Sequence, residues 1–210
     1  MITLTVEAIL VVLLGIVLMN LFKKRSATPA PESVPDLANL KPTDARAGDI
    51  ISVSGAGDDF SDLDFTADRC LWVQAGSHSW NELSGMYRDR RVVMRAATNA
   101  DGDLEVAVNS GGRKYTIEDF GLSEPDLSDL DERQNTGDYF EFDNKTWLYR
   151  LSREAQATGA GQPQAYYYWE FHERDGPGVL AIKKAEGEPF VATVFTTVSP
   201  GNVTVFRSGH

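Results

Sequence analysis

The sequence predicts an all-β domain, an antiparallel sandwich or open barrel of about ten short strands in two halves, preceded by one transmembrane helix. Three observations carry that expectation. From Asp49 onward, short runs of apolar, β-branched and aromatic residues recur at close spacing, bounded by Gly, Asn and Asp. Near the middle an acidic stretch, Glu118–Thr136, interrupts them. At the other end of the chain Ile2–Phe22 is almost unbroken apolar sequence, roughly 31 Å long at the helical rise, which matches a bilayer's hydrocarbon core.

The apolar run is followed at once by Lys23-Lys24-Arg25, and Met1–Thr5 carries no cation. A cleaved secretory signal has the opposite arrangement, so the segment reads as a retained anchor. Basic residues stay on the cytoplasmic side, which leaves the N-terminus outside and the C-terminal domain cytoplasmic at the inner (plasma) membrane. Glu7 is the one charge in the span and lies near its outer end, where it reaches the interface. Residues 1–25 form the anchor and residues 26–41, rich in Pro, Ala and Ser without periodicity, form a flexible tether. Residues 42–210 form the domain.

Composition narrows the domain's partners. The net charge is −11, while residues 1–25 carry Lys23, Lys24 and Arg25 against Glu7, so the remainder carries −13. Such a surface does not bind nucleic acid by charge and does not lie on an anionic leaflet. One cysteine, Cys70, gives no disulfide framework, in keeping with a reducing compartment.

Along the domain, Asp49–Ser54 is a short strand ending in Gly55-Ala56-Gly57. Asp64–Gln74 and Ser79–Arg88 follow, punctuated by Gly76-Ser77. Arg91–Ala97 and Leu104–Val108 flank Asn99-Ala100-Asp101-Gly102, a hairpin signal. Asn109–Gly112 is a further turn leading into a strand-like Arg113–Ile117. In the acidic joint, Leu122, Leu127 and Leu130 suit one face of a short helix. The second half repeats the pattern with Asp138–Phe142, Lys145–Arg153, Ala165–Glu173, Val179–Lys183, Pro189–Val198 and Asn202–Phe206.

The order of several features resembles the domain-of-unknown-function family 4178. They are Leu40-Lys41-Pro42 with Gly48-Asp49, the strand Trp147–Leu151, and the aromatic strand Tyr167–Phe171. The Asp175-Gly176 turn, Leu180–Ile182, Phe190–Val194 and Ser199-Pro200 complete the set. The resemblance implies an uncharacterised β-rich bacterial domain. It also implies association with polyamine aminopropyltransferases, small multi-pass membrane proteins and membrane-stress proteins of the phage-shock type.

No catalytic signature stands out. His78, His172 and His210 are the three histidines, and a hydrolase using His78 or His172 would need a nucleophile and a carboxylate to converge on one of them. Cys70 sits in a β run and reads as a small core residue. Asp58–Asp64 lacks the Gly and distal Glu of a calcium loop, so it reads as an acidic turn and not a metal site. No motif implies a cofactor. On the aromatic strand the period of two puts Tyr167, Trp169 and Phe171 on one face, which reads as core. Tyr166, Tyr168, Glu170 and His172 share the other, the expected outward binding face.

These readings predict a membrane-anchored cytoplasmic binding or scaffold module whose partner is another membrane or membrane-associated protein. The alternatives are a polyamine-binding protein, with carboxylates and rings recognising the polycation, and the hydrolase.

Overall fold

Glycine, Asn and Asp set the strand boundaries. At Asp143-Asn144 two consecutive non-glycine residues take positive φ, the conformation that joins two strands by the tightest hairpin. The computed structural model describes residues 40–111, 113 and 115–207. The predicted anchor Ile2–Phe22, the tether up to residue 39 and His210 lie outside these residues. No helix among the described residues is long and apolar enough to cross a membrane.

The first half contains β1 (Ile50–Val53), β2 (Leu63–Ala75), β3 (His78–Tyr87), β4 (Arg90–Thr98) and β5 (Leu104–Asn109). Helix α1 (Glu124–Arg133) follows. The second half contains β6 (Tyr139–Phe142), β7 (Lys145–Thr158), β8 (Gln164–Glu173), β9 (Gly178–Lys184) and β10 (Val191–Val198), and β11 (Val203–Phe206) ends it. All pairings are antiparallel, in the order β11-β1-β2-β3-β4-β5-β10-β9-β8-β7-β6. Two expectations are corrected. The barrel is not open, because Trp72–Ala75 of β2 pair with Ala155–Thr158 of β7 and close β2, β3, β4, β5, β10, β9, β8 and β7 into a ring. Of the strand expected at Arg113–Ile117, Tyr115 makes only an isolated bridge to Ala192 and Ile117 turns the chain toward α1.

The two halves repeat one topology. In the first, Ala67 opposes Gly85 and the register then shifts so that Arg69 opposes Ser84. In the second, Tyr149 opposes Phe171 and the same shift brings Leu151 opposite Glu170. Each bulge adds a residue to the long strand and bends it. The bends let β1 extend from the N-terminal part of β2, and β6 from that of β7, while the other ends of β2 and β7 pair with each other.

β9 and the middle of β8 are therefore buried on both faces. Outside the ring, Ile51, Val53, Val203 and Val205 of β1 and β11 pack with Leu83, Met94, Val106 and Val108 of the first half. In the second half, Leu127 and Leu130 pack with Tyr149, Trp169, Phe171 and Leu180, as expected for a helix with one apolar face, while Leu122 joins the cluster from before the helix start. A third cluster includes Val73, Ala75, Trp80, Ala155, Ala157, Tyr168, Ala181 and Phe195, with Val93, Ala97 and Ala107 beside it. It draws on one face of all eight ring strands, so it fills the lumen.

Local chemistry fixes the joint. Ser123 Oγ accepts from the Asp126 backbone N–H, and the Asp126 carboxylate accepts from the Ser123 N–H at 2.8 Å, a reciprocal cap on α1. Ser123→Ala is expected to cost about 1 kcal/mol of folding stability in denaturant titration. The Gly48-Asp49 pair has a structural role. Gly48 takes φ +94°, and buried Asp49 accepts two bonds from Arg207, at 3.0 and 2.8 Å, and one from the Arg46 N–H.

Candidate functional site

On β8, Tyr166, Tyr168, Glu170 and His172 do share one face, but that face turns into the lumen and not outward as expected. Tyr168 is 0% exposed. The physical reason is ring closure: Trp169 and Phe171 fill the outer core beneath α1, and the opposite face is covered by strands from the other half. An alternating strand buried on both faces gives no sign in its sequence of which side meets water.

Inside the lumen Glu170 is the centre of a polar constellation. Its Oε2 accepts from Arg95 Nη2 at 3.0 Å and from the Tyr168 hydroxyl at 2.5 Å. Its Oε1 lies 2.8 Å from His172 Nε2. Arg95 and Glu170 have side chains only 11% and 15% exposed. They belong to β4 and β8, which are not neighbours, so their ion pair crosses the lumen. The Arg95 guanidinium also lies over the Trp80 ring at 4.3 Å and the Phe195 ring at 5.1 Å. A second pair crosses beside it, where Lys183 Nζ of β9 meets both carboxylate oxygens of Glu82 on β3 at 3.1 and 2.9 Å. Lys183 also stands 5.2 Å from the Tyr166 ring centre.

The electrostatics follow from this geometry. Burial alone would raise the Glu170 carboxyl, but the Arg95 charge and the His172 and Tyr168 contacts hold it far below the usual range. Burial likewise opposes ionisation of Glu82, and Lys183 overrides it. Burial pushes the Tyr168 and Tyr166 hydroxyls well up, so both stay protonated. The Tyr166 hydroxyl and Trp80 Nε1 are buried without a hydrogen-bond partner among the described residues.

Acid sensitivity follows. Glu170, Glu82 and Asp49 all have folded-state pKa values below their ordinary ones of 4.5, 4.5 and 3.8. The unfolded chain thus binds protons first on acidification. Their stabilisation is complete above the ordinary values and is lost as pH falls through the folded ones. Denaturant titrations are expected to show stability independent of these groups above about pH 5.5 and falling below about pH 4.5. Stability that rises between pH 5 and pH 3 would contradict this account.

The other candidate residues lie apart from one another. His78 stands exposed at the start of β3, at the end of the ring where Ala75 pairs with Ala155 and Ala155 with Tyr166. His172 is at the far end of β8, so the two histidines do not meet. Cys70 is half-buried, its thiol pushed up by burial and by the Asp49 charge, and it points toward the Ala45 carbonyl at 3.7 Å. Among the described residues no three His, Cys, Asp or Glu side chains group as metal ligands. Ser152 is fully buried, but its hydroxyl donates to Asp131 and receives Gln134 Nε2 at 2.8 Å. Asp131 also accepts from the Tyr167 hydroxyl at 2.6 Å, and burial together with this bond pushes Tyr167 up to about 12. This network ties α1 to the ring wall.

A cleft of about 750 Å³ opens at the end of the ring where Ala75 pairs with Ala155, lined by Glu154, Gln156, Tyr166, Tyr167, Lys184 and Glu186 among others. Sequence reasoning missed Arg95, Glu82, Lys183 and Trp80. The available signal was a charge inside an otherwise apolar strand, as in Val92-Val93-Met94-Arg95-Ala96-Ala97. A lone cation there is stable only if something across the fold neutralises it.

No family model matches the chain, and no curated protein or solved structure matches it either.

Proposed function

We propose that the domain is a non-catalytic binding module, held at the cytoplasmic face of a membrane by Ile2–Phe22 and working through its outer surface on a membrane or membrane-associated protein. The observation that carries the reading is the saturation of Glu170. The buried carboxylate best placed for acid–base work is engaged by Arg95, Tyr168 and His172 at once. Three partners engage both of its oxygens, and Arg95 holds its charge fixed, which suits a tie between the halves. The anchor is read from sequence alone, and membership of the family named above is likewise a proposal resting on the sequence motifs. Affinity purification of the full chain from gently solubilised native membranes is expected to recover a reproducible protein partner. Recovery of the chain alone would count against the module reading.

A second reading, an aliphatic polyamine as ligand, is favoured by the cleft. Its lining includes Glu154 and Glu186 together with Tyr166 and Tyr167, residue types that pair ammonium groups and cover methylenes. Calorimetric titration of the full chain with spermidine would show saturable heat, reduced by Glu154→Gln with Glu186→Gln. Heat equal to that of simple salt exchange would sink this reading.

A further inference from the structure

The loop between β1 and β2 presents Phe60 almost wholly to water, at 92% exposure. Its backbone is unusual as well. Asp59 and Phe60 are consecutive non-glycine residues with φ of 55° and 61°, a left-handed conformation that bulky side chains rarely adopt. Such a conformation persists only where its surroundings impose it. Here they do. Gly57 N–H donates to the Ser61 carbonyl at 2.8 Å and Ser61 N–H to the Asp58 carbonyl at 3.0 Å. Gly55 N–H donates to the Asp62 carboxylate at 3.1 Å, and the Ser61 hydroxyl bonds the Tyr87 hydroxyl at 3.2 Å. Asp58 is clamped by Arg88 at 2.7 Å and by Arg90. A Cβ at Gly57 would stand 2.7 Å from the Tyr87 oxygen, so the loop sits close against the β3–β4 turn. Phe60 is therefore held out by a pinned loop.

A large apolar side chain fixed in water costs free energy in the isolated domain and lowers the entropy lost on docking. Around it, Asp59, Asp62 and Asp64 are exposed, while the positive charges of Arg88 and Arg90 are directed to Asp58. An acidic rim opposes insertion into an anionic leaflet. It complements a protein pocket that is apolar inside and ringed by Lys or Arg.

We infer that Phe60 is the anchor of a protein–protein contact, seated in an apolar, cation-rimmed pocket of the partner. This deepens the binding-module reading and rests on it. The partner's pocket buries the ring, and its cations face Asp59, Asp62 and Asp64.

The test places photoreactive benzoylphenylalanine at position 60 of the full chain in native membranes, and at exposed Asp101 on the β4–β5 turn as control. The expected result is a protein adduct specific to position 60 whose peptide maps to an apolar pocket flanked by Lys or Arg. With that partner purified, Phe60→Ser should weaken binding by at least about 30-fold, the loss seen when a central anchor is removed. Phe60→Trp should retain affinity within a few-fold, added salt should weaken binding, and the thermal midpoint of Phe60→Ser should not fall. Adducts only with lipid, equal adducts from position 101, or unchanged affinity in Phe60→Ser would overturn the inference. If a partner still co-purifies and ignores Phe60, the surface is wrong while the module reading stands. If no protein partner is recovered at all, both fall.

Discussion

Arg95→Ala is expected to destabilise the folded domain by about 3–5 kcal/mol, the cost of removing one member of a buried ion pair and leaving its partner uncompensated. The side chain does three things at once. Its guanidinium donates to Glu170, covers the Trp80 ring and sits within 5.6 Å of the Tyr168 ring. Burial by itself would lower the Arg95 pKa, yet the Glu170 and Glu82 charges raise it, so the cation is bound by its surroundings. Without it, Glu170 loses the largest influence opposing its own desolvation. The acid limb of the stability curve should then move to higher pH, because the Glu170 carboxyl would protonate earlier. A double-mutant cycle with Glu170→Gln in denaturant titration checks the origin of the loss. A coupling energy above about 1 kcal/mol is expected, and effects that add within about 0.5 kcal/mol would show that the lumen-crossing pair is not the tie.

Gly85→Ala should cost about 3 kcal/mol or more, from a single methyl group. A Cβ at this position would lie 2.2 Å from the Thr66 carbonyl oxygen and 2.7 Å from Phe65 Cδ2. The nearest atom is backbone, so relief requires β2 to shift at its bulge, where Ala67 opposes Gly85. Overpacking against backbone cannot be absorbed by a rotamer change. The matching position of the second half is Phe171, opposite Tyr149. The repeated topology thus tolerates a large side chain there in one half and excludes even a methyl in the other. Thermal unfolding of Gly85→Ala beside Gly102→Ala separates two kinds of glycine. Gly102 takes φ +88° with nothing within 4 Å of a would-be Cβ, so its loss should be smaller and due to backbone conformation alone. Equal losses would show that close approach is not the governing effect at Gly85.

Much of the fold was legible from local patterns, and the reasons differ by element. The Asn99–Gly102 hairpin was readable because its bonds are local. The Asn99 side chain accepts from the Asp101 and Asp103 N–H groups, and Gly102 supplies the positive φ. The short helix over one apolar face was readable because Leu127 and Leu130 recur at helical spacing after a Ser-x-x-Asp cap. β7 runs to Thr158, beyond the predicted Arg153, because its last residues are polar or small and become strand only by pairing with β2.

The candidate site shows the limit most clearly. The period of two correctly grouped Tyr166, Tyr168, Glu170 and His172 on one face, since that grouping is a property of any strand. The direction of the face was not in the strand. It depends on ring closure, which covers both sides of β8 and brings Arg95 to Glu170 across 75 residues of sequence and Lys183 to Glu82 across 101. Sequence by itself determined most of the strands and turns, the division into two halves and the acidic charge of the domain, because these arise from neighbouring residues and from composition. Tertiary structure alone decided which polar groups are buried and which are offered to partners. A charge inside an apolar strand is stable only against a counter-charge, and only the closed ring supplies it.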